Sequence, residues 1–371
     1  MPSNHPPDIY RQQSVRGFIT PFNLEVSPME RLLLINFEHD PDEVYVGFEP
    51  QVFDDPTTGT GLLVIAWRKD GKVDIYHQPG LILDRGNYDI VGKGLDELIE
   101  RPFDNAHFEI TEQGVDLSLT FEDKRGRLIH TRIHESSRKP RKPFSLLAPF
   151  PGDTENPPSL PLVLLYDFYF VRKSNTDLEI KIGKKSHRLD SLPVPMDGSW
   201  MYFTRYAPDP FILNWNKAYD GPLTLLQPPD AGELRHRQTV YDLVENAGFL
   251  EISRMRPENA RYDVQFTFDP PFPHLTGLRD GAQAQGMFDI WLGESTGYID
   301  GVYHLHRQDN QVEIEVHPSG GWHPRVPKWS LWFIFRVAPI FKNWPKTYSW
   351  IARIDLNQPD LPVMKSNWNR I

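Results

Sequence analysis

Residues 115–121 alternate without a break: Val115, Leu117, Leu119 and Phe121 are separated by Asp116, Ser118 and Thr120. Successive side chains of an extended strand point to opposite faces, so this pattern buries one face and wets the other. Beyond Lys124-Arg125-Gly126-Arg127, Ile129, Thr131 and Ile133 alternate in the same way with His130, Arg132 and His134. A second pair of runs, 62–67 and 73–77, flanks Lys69-Asp70-Gly71-Lys72. There Asp-Gly supplies the positive φ angles that predict a type I′ turn. Further strand-like runs follow at 162–171, 178–182, 200–206, 249–252, 262–268, 287–292, 298–306, 312–317, 331–337 and 349–356. A chain patterned in this way folds as antiparallel hairpins.

One helix is expected, over 239–247, where Val240, Tyr241, Val244 and Ala247 form a stripe ahead of Gly248. The fold class read from the chain is therefore all-β with minor α, as two antiparallel β-barrel or sandwich domains. Its 371 residues exceed the usual size of a single core. Proline- and serine-rich sequence at 136–161 predicts the crossing between domains. The expected division is an N-terminal β domain over 1–145, a Pro-rich crossing over 146–159, and a C-terminal β domain over 160–371. The basic run Arg138-Lys139-Pro140-Arg141-Lys142-Pro143 reads as a solvated linker.

Several function classes are disfavoured. A net charge of −10, spread along the chain, argues against a nucleic-acid partner, which would draw on clustered Lys and Arg. The absence of cysteine removes disulfides, thiolate metal sites and a cysteine nucleophile. The first eight residues carry no basic region followed by an apolar core, so no signal peptide is expected and a cytoplasmic location is the reading. The apolar run 331–341, broken by Arg336 and Pro339, falls short of the roughly 20 residues a bilayer span needs. It is expected to be a buried strand. No dinucleotide fingerprint, phosphate-binding loop, nucleophile elbow or His-Glu-x-x-His is present. No cofactor is expected.

Two constellations could carry chemistry. If Asp309-Asn310 is a two-residue turn, His306 pairs with Glu313 and His304 with Glu315, all four on one face. His317 then lies opposite Val302, and Tyr303, Leu305, Ile314 and Val316 occupy the other face. Two imidazoles and two carboxylates within cross-strand reach suit acid–base chemistry or a divalent metal, and equally a wet strand with paired charges. His304, His306, Glu313 and Glu315 are the candidate catalytic residues. His130 and His134 lie four residues apart on one strand, too far to share a metal, and read as surface. The second constellation is Asp167, Tyr169, Trp200, Tyr202, Arg205 and Trp215, amphipathic side chains that either line a ligand pocket or fill a sheet interior.

Two hairpin-rich β domains joined by a Pro-rich crossing resemble the two-domain lipocalin-like proteins, the carotenoid 1,2-hydratase and AttH-like group. The resemblance covers most of the chain and is architectural. That family's Trp-Trp-Tyr-Phe-Asp-like strand has its nearest counterpart in Tyr166-Asp167-Phe168-Tyr169-Phe170, in the wrong half, so no residue role transfers. The resemblance implies a lipocalin-like cavity for a hydrophobic small-molecule ligand, with cofactor-independent lyase, hydratase or cyclase activity. A non-catalytic binding module and a glycan-active β protein are the alternatives. The sequence leaves the oligomeric state open.

Overall fold

The computed structural model describes residues 5–11, 17–89, 91–149, 156–227, 232–258, 262–325, 341, 343–358 and 361–371. It is nearly all β, built from curled sheets that include a half-barrel. No helix among the described residues is long and apolar enough to cross a membrane. The chain forms two compact units, one from 28–146 with 164–211 and one from 1–27, 147–163 and 212–371.

The first unit packs two sheets about one core. In one sheet Met201–Ala207, Met29–Asn36, Tyr45–Asp55, Gly59–Arg68, Val73–His77 and Leu95–Glu100 lie side by side, antiparallel except for the last pair. The other runs Lys185–Ser186, Thr176–Ile182, Leu128–Glu135, Gly114–Glu122 and Asn105–Thr111. The alternating residues Val115, Leu117, Leu119, Phe121, Ile129 and Ile133 point inward, where they meet Leu33, Ile35, Phe48, Val64 and Tyr76. Asp116, His130, Arg132 and His134 stay on the wet side, His134 beside Asp116 and His130 beside Glu179. This is the period-two pattern doing what hydrophobic burial demands of it.

The second unit contains a ten-stranded antiparallel sheet whose strands follow the chain almost as a continuous meander. Gly232–His236, Thr239–Asn246, Phe249–Pro257, Gln265–Phe272, Gln283–Trp291, Tyr298–Gln308, Gln311–His323, Tyr348–Asp355 and Val363–Arg370 succeed one another, with Tyr219–Pro222 at the far edge. Its buried face carries Tyr241, Phe266, Phe268, Phe288, Tyr303, Trp350 and Trp368. Phe22 packs there too, stacking on Phe268 at 5.3 Å and meeting Phe272 edge-on at 4.7 Å. Gly286 lies opposite Tyr303, and a Cβ on it would sit 2.6 Å from the Tyr303 ring, so only glycine admits that ring.

Four sequence expectations change. The segment 239–247 is a strand ending in a hairpin turn, because Ala247 and Gly248 both take positive φ, 53° and 81°, as a two-residue type I′ loop requires. The Asp70-Gly71 turn is instead a three-residue loop: Arg68 donates its N–H to Lys72 O at 3.0 Å, and among its residues Gly71 alone has positive φ. The units are not separated by one cut at 146–159. Pairing of Thr176–Ile182 with Leu128–Glu135, and of Met201–Ala207 with Met29–Asn36, draws 164–211 back to the first unit.

The basic run 138–143 is held rather than free. Arg141 pairs with buried Glu135 at 2.9 Å, and Lys139 Nζ donates to Asp197 O at 2.9 Å. Buried Arg172 donates to Lys139 O at 2.7 Å and Pro140 O at 2.9 Å, so it caps carbonyls that prolines and turns leave unpaired. The expected strand at 331–337 lies outside the described residues.

Candidate functional site

The hairpin about Asp309-Asn310 has the register its sequence predicts. His304 faces Glu315, His306 faces Glu313, and His317 lies opposite Val302. Tyr303, Leu305, Ile314 and Val316 are buried on the other side. The carboxylates already have partners on the next strand: Arg353 Nε donates to Glu313 at 2.8 Å and Ser349 Oγ to Glu315 at 3.0 Å. No group of three or more metal-ligating side chains forms among the described residues. Cross-strand polar pairs on an exposed face contribute a few tenths of a kcal/mol each. We therefore expect His304→Ala with His306→Ala to move the unfolding free energy by about 0.5 kcal/mol or less. Metal content by plasma mass spectrometry should not change; loss of a stoichiometric divalent ion in the double variant would contradict this.

The aromatic set divides between the units, with Trp215 in the second and the other five residues in the first. Tyr169 stacks on Tyr206 at 5.5 Å, and Lys173 lies 5.5 Å from the Tyr202 ring centre. Arg205 donates to Asn36 Oδ1 at 2.9 Å and lies over Phe203. Asp167 is exposed, its carboxyl held above the ordinary value by partial desolvation and by Asp209. Trp200 is 55% exposed, whereas Trp215 is fully buried among Phe266, Phe288 and Trp368 in the other unit.

A different cluster gathers the buried ionisable groups. Glu251 sits in the strand Phe249–Pro257, two residues after Phe249 and on the same inward face. It is 0% exposed, and no cation pairs with it among the described residues. Its Oε1 accepts from Tyr10 Oη at 2.5 Å and from Asn246 Nδ2 at 2.9 Å, while Oε2 has no hydrogen-bond partner there. Burial outweighs those two hydrogen bonds and pushes the carboxyl above its ordinary pKa. Tyr10 stacks on Phe249 at 4.4 Å, and burial beside Glu251 drives its hydroxyl up as well.

Around this carboxyl stand Tyr303, His5 and His274. Tyr303 donates to Pro270 O at 2.7 Å and shares a hydrogen bond with His5 Nε2 at 3.0 Å. The His5 carbonyl accepts from Asn246 at 3.1 Å. His274 caps the short turn Leu275–Gly277 by accepting the Gly277 N–H on Nδ1 at 3.1 Å, and burial lowers its pKa to about 4. Phe249, Phe268 and Phe272 supply the walls. A neutral carboxylic acid with one oxygen fixed by two donors keeps its proton on the other oxygen, in surroundings where charge is costly. Such a group can give a proton and take it back.

No family model, curated protein or solved structure matches this chain. Sequence reasoning missed Glu251, although a signal existed: a carboxylate in phase with Phe249 on the inward face of a strand.

Proposed function

We propose that the protein binds an apolar small molecule on the buried face of the ten-stranded sheet, with Glu251 as proton donor for cofactor-independent hydration, elimination or cyclisation. The observation that supports this reading is a buried carboxyl whose Oε2 has no hydrogen-bond partner among the described residues, walled by aromatic rings. Perturbed carboxyls of this kind gather at catalytic sites. In the acid step Oε2–H protonates a carbon–carbon double bond, leaving a carbocation and the Glu251 carboxylate. Capture by water, or loss of a neighbouring proton, returns the proton to Glu251 and balances the cycle. The lipocalin-like architecture belongs to the same proposal. His5 and Tyr10 cover the carboxyl, so binding requires that segment to yield.

The competing reading is structural, and one contact favours it: Tyr10 bonded to Glu251 pins the first residues onto the sheet. Native mass spectrometry of protein purified from cells, followed by denaturation, separates the two. The catalytic reading expects a retained terpenoid- or lipid-like molecule. In Glu251→Gln that molecule should differ from the wild-type one by a water, or be an isomer resolved by chromatography. The same molecule in both proteins would leave binding without catalysis. An empty wild-type protein would remove the proposal and leave the structural latch.

A further inference from the structure

The chain is acidic overall, yet three of its hairpin turns are basic: Arg68-Lys69-Asp70-Gly71-Lys72, Asp123-Lys124-Arg125-Gly126-Arg127 and Gly183-Lys184-Lys185. They are distant in sequence, but residues of all three line one groove of about 670 Å³ in the first unit, with the 41–43 connection as its remaining wall. Lysines and arginines gathered on one set of loops against a net charge of −10 are the electrostatic footprint of an anion. The volume lies within the range of small-molecule sites.

Not every cation there is available. Arg68 and Lys124 are committed to buried Asp74 and to Asp96. Arg127 holds Asp42 at 3.0 Å and Asp123 at 2.8 Å, which neutralises the acid that faces the groove. The other lining acid, Glu43, lies 3.9 Å from Arg125. Lys185 Nζ donates to Pro41 O at 3.2 Å and lies 3.7 Å from Asp40. Lys69 and Lys184 have no ion-pair partner among the described residues, and they come from two different turns. Gly183, with φ of 60°, makes the tight turn that carries Lys184.

We propose that this groove is a binding site for a small phosphate-bearing metabolite, with Lys69 and Lys184 as the charges that capture it. A compact anion, not a polymer, fits: one groove with two unpaired lysines supplies too few contacts for a nucleic-acid backbone. The site shares no residue with the Glu251 cluster, so each proposal can fail alone.

The test is isothermal titration of the full chain with pyrophosphate at low ionic strength, against sodium chloride of matched ionic strength. Binding with a sub-millimolar Kd, weakened at least tenfold in Lys69→Glu with Lys184→Glu, is the expected result. The milder Lys69→Gln with Lys184→Gln should show a smaller loss in the same direction. Both lysines are solvent-facing, so the unfolding midpoint should stay at its wild-type value and a folding defect cannot mimic the loss. Heat no greater than the chloride control, or an affinity unchanged in the charge-reversed variant, overturns the assignment.

Discussion

Trp215→Ala is expected to lower the unfolding free energy by about 3–5 kcal/mol, whereas Trp200→Ala changes it by about 0.5 kcal/mol or less. Both tryptophans fall in the aromatic segment that reads as core or, second to that, as pocket lining. Trp215 has 0% exposure and meets Phe266 at 5.1 Å, Phe288 at 5.4 Å and Trp368 at 5.1 Å, all edge-on. Removing the indole leaves a cavity that three rigid aromatic neighbours cannot collapse into. Its backbone matters as well, since Trp368 Nε1 donates to Trp215 O at 3.1 Å and to Asn216 O at 3.0 Å. Shifting that carbonyl would strand a buried indole N–H. Trp200, at 55% exposure, already keeps much of its ring in water, so truncating it removes little burial. Urea denaturation with an unchanged m-value measures both. A Trp215→Ala cost near 1 kcal/mol would mean the site is already open, and would return Trp215 to the ligand-lining set.

What could be read from the chain was whatever depended on neighbours in sequence. The pairing of His304 with Glu315 follows from one turn and a period of two, and both are local. The same hairpin shows where locality ends. Arg353 and Ser349, which occupy Glu313 and Glu315, lie on a strand more than thirty residues on, and no spacing rule connects them. The helix expected at 239–247 failed because Val240, Tyr241 and Val244 suit either period, while the decisive residues were the Ala247-Gly248 turn.

Glu251 was hidden for a related reason. Its strand announces an inward carboxylate, but the hydroxyl that satisfies it comes from Tyr10, 241 residues earlier. Domain boundaries suffered most. A Pro-rich stretch marks where the chain leaves one unit, yet strand pairing decides where 164–211 returns, and pairing partners are not written in the stretch itself.

Acidification should expose the buried cluster directly. His274 is 6% exposed, and burial lowers its pKa from 6.5 to about 4. Its Nδ1 accepts the Gly277 N–H, so protonation there would set two N–H groups against each other. The unfolded chain takes up the proton near 6.5 while the folded one refuses it until about 4, so the unfolded state binds more protons throughout that window. Stability contributed by His274 is therefore complete above pH 6.5 and is lost as pH falls towards 4, by about 3 kcal/mol at 1.36 kcal/mol per unit. Glu251 runs the other way. Burial raises its folded pKa, so its contribution is present at low pH and is lost as pH rises above the ordinary carboxylate value.

Variants separate these opposing slopes. His274→Asn keeps an oxygen that can cap Gly277 N–H but cannot titrate. It should sit about 1–2 kcal/mol below wild type at neutral pH, because the ring's contacts with Phe18 and Phe249 are lost, and run flatter between pH 6.5 and 4. Glu251→Gln should steepen the acid loss by removing the group that offsets it. Denaturation series across this range, taken as wild type minus variant, isolate each group from the rest of the chain. A His274→Asn curve as steep as wild type would mean that the imidazole takes its proton as readily folded as unfolded, and the cluster would then be open to water rather than the dry pocket that proton donation by Glu251 requires.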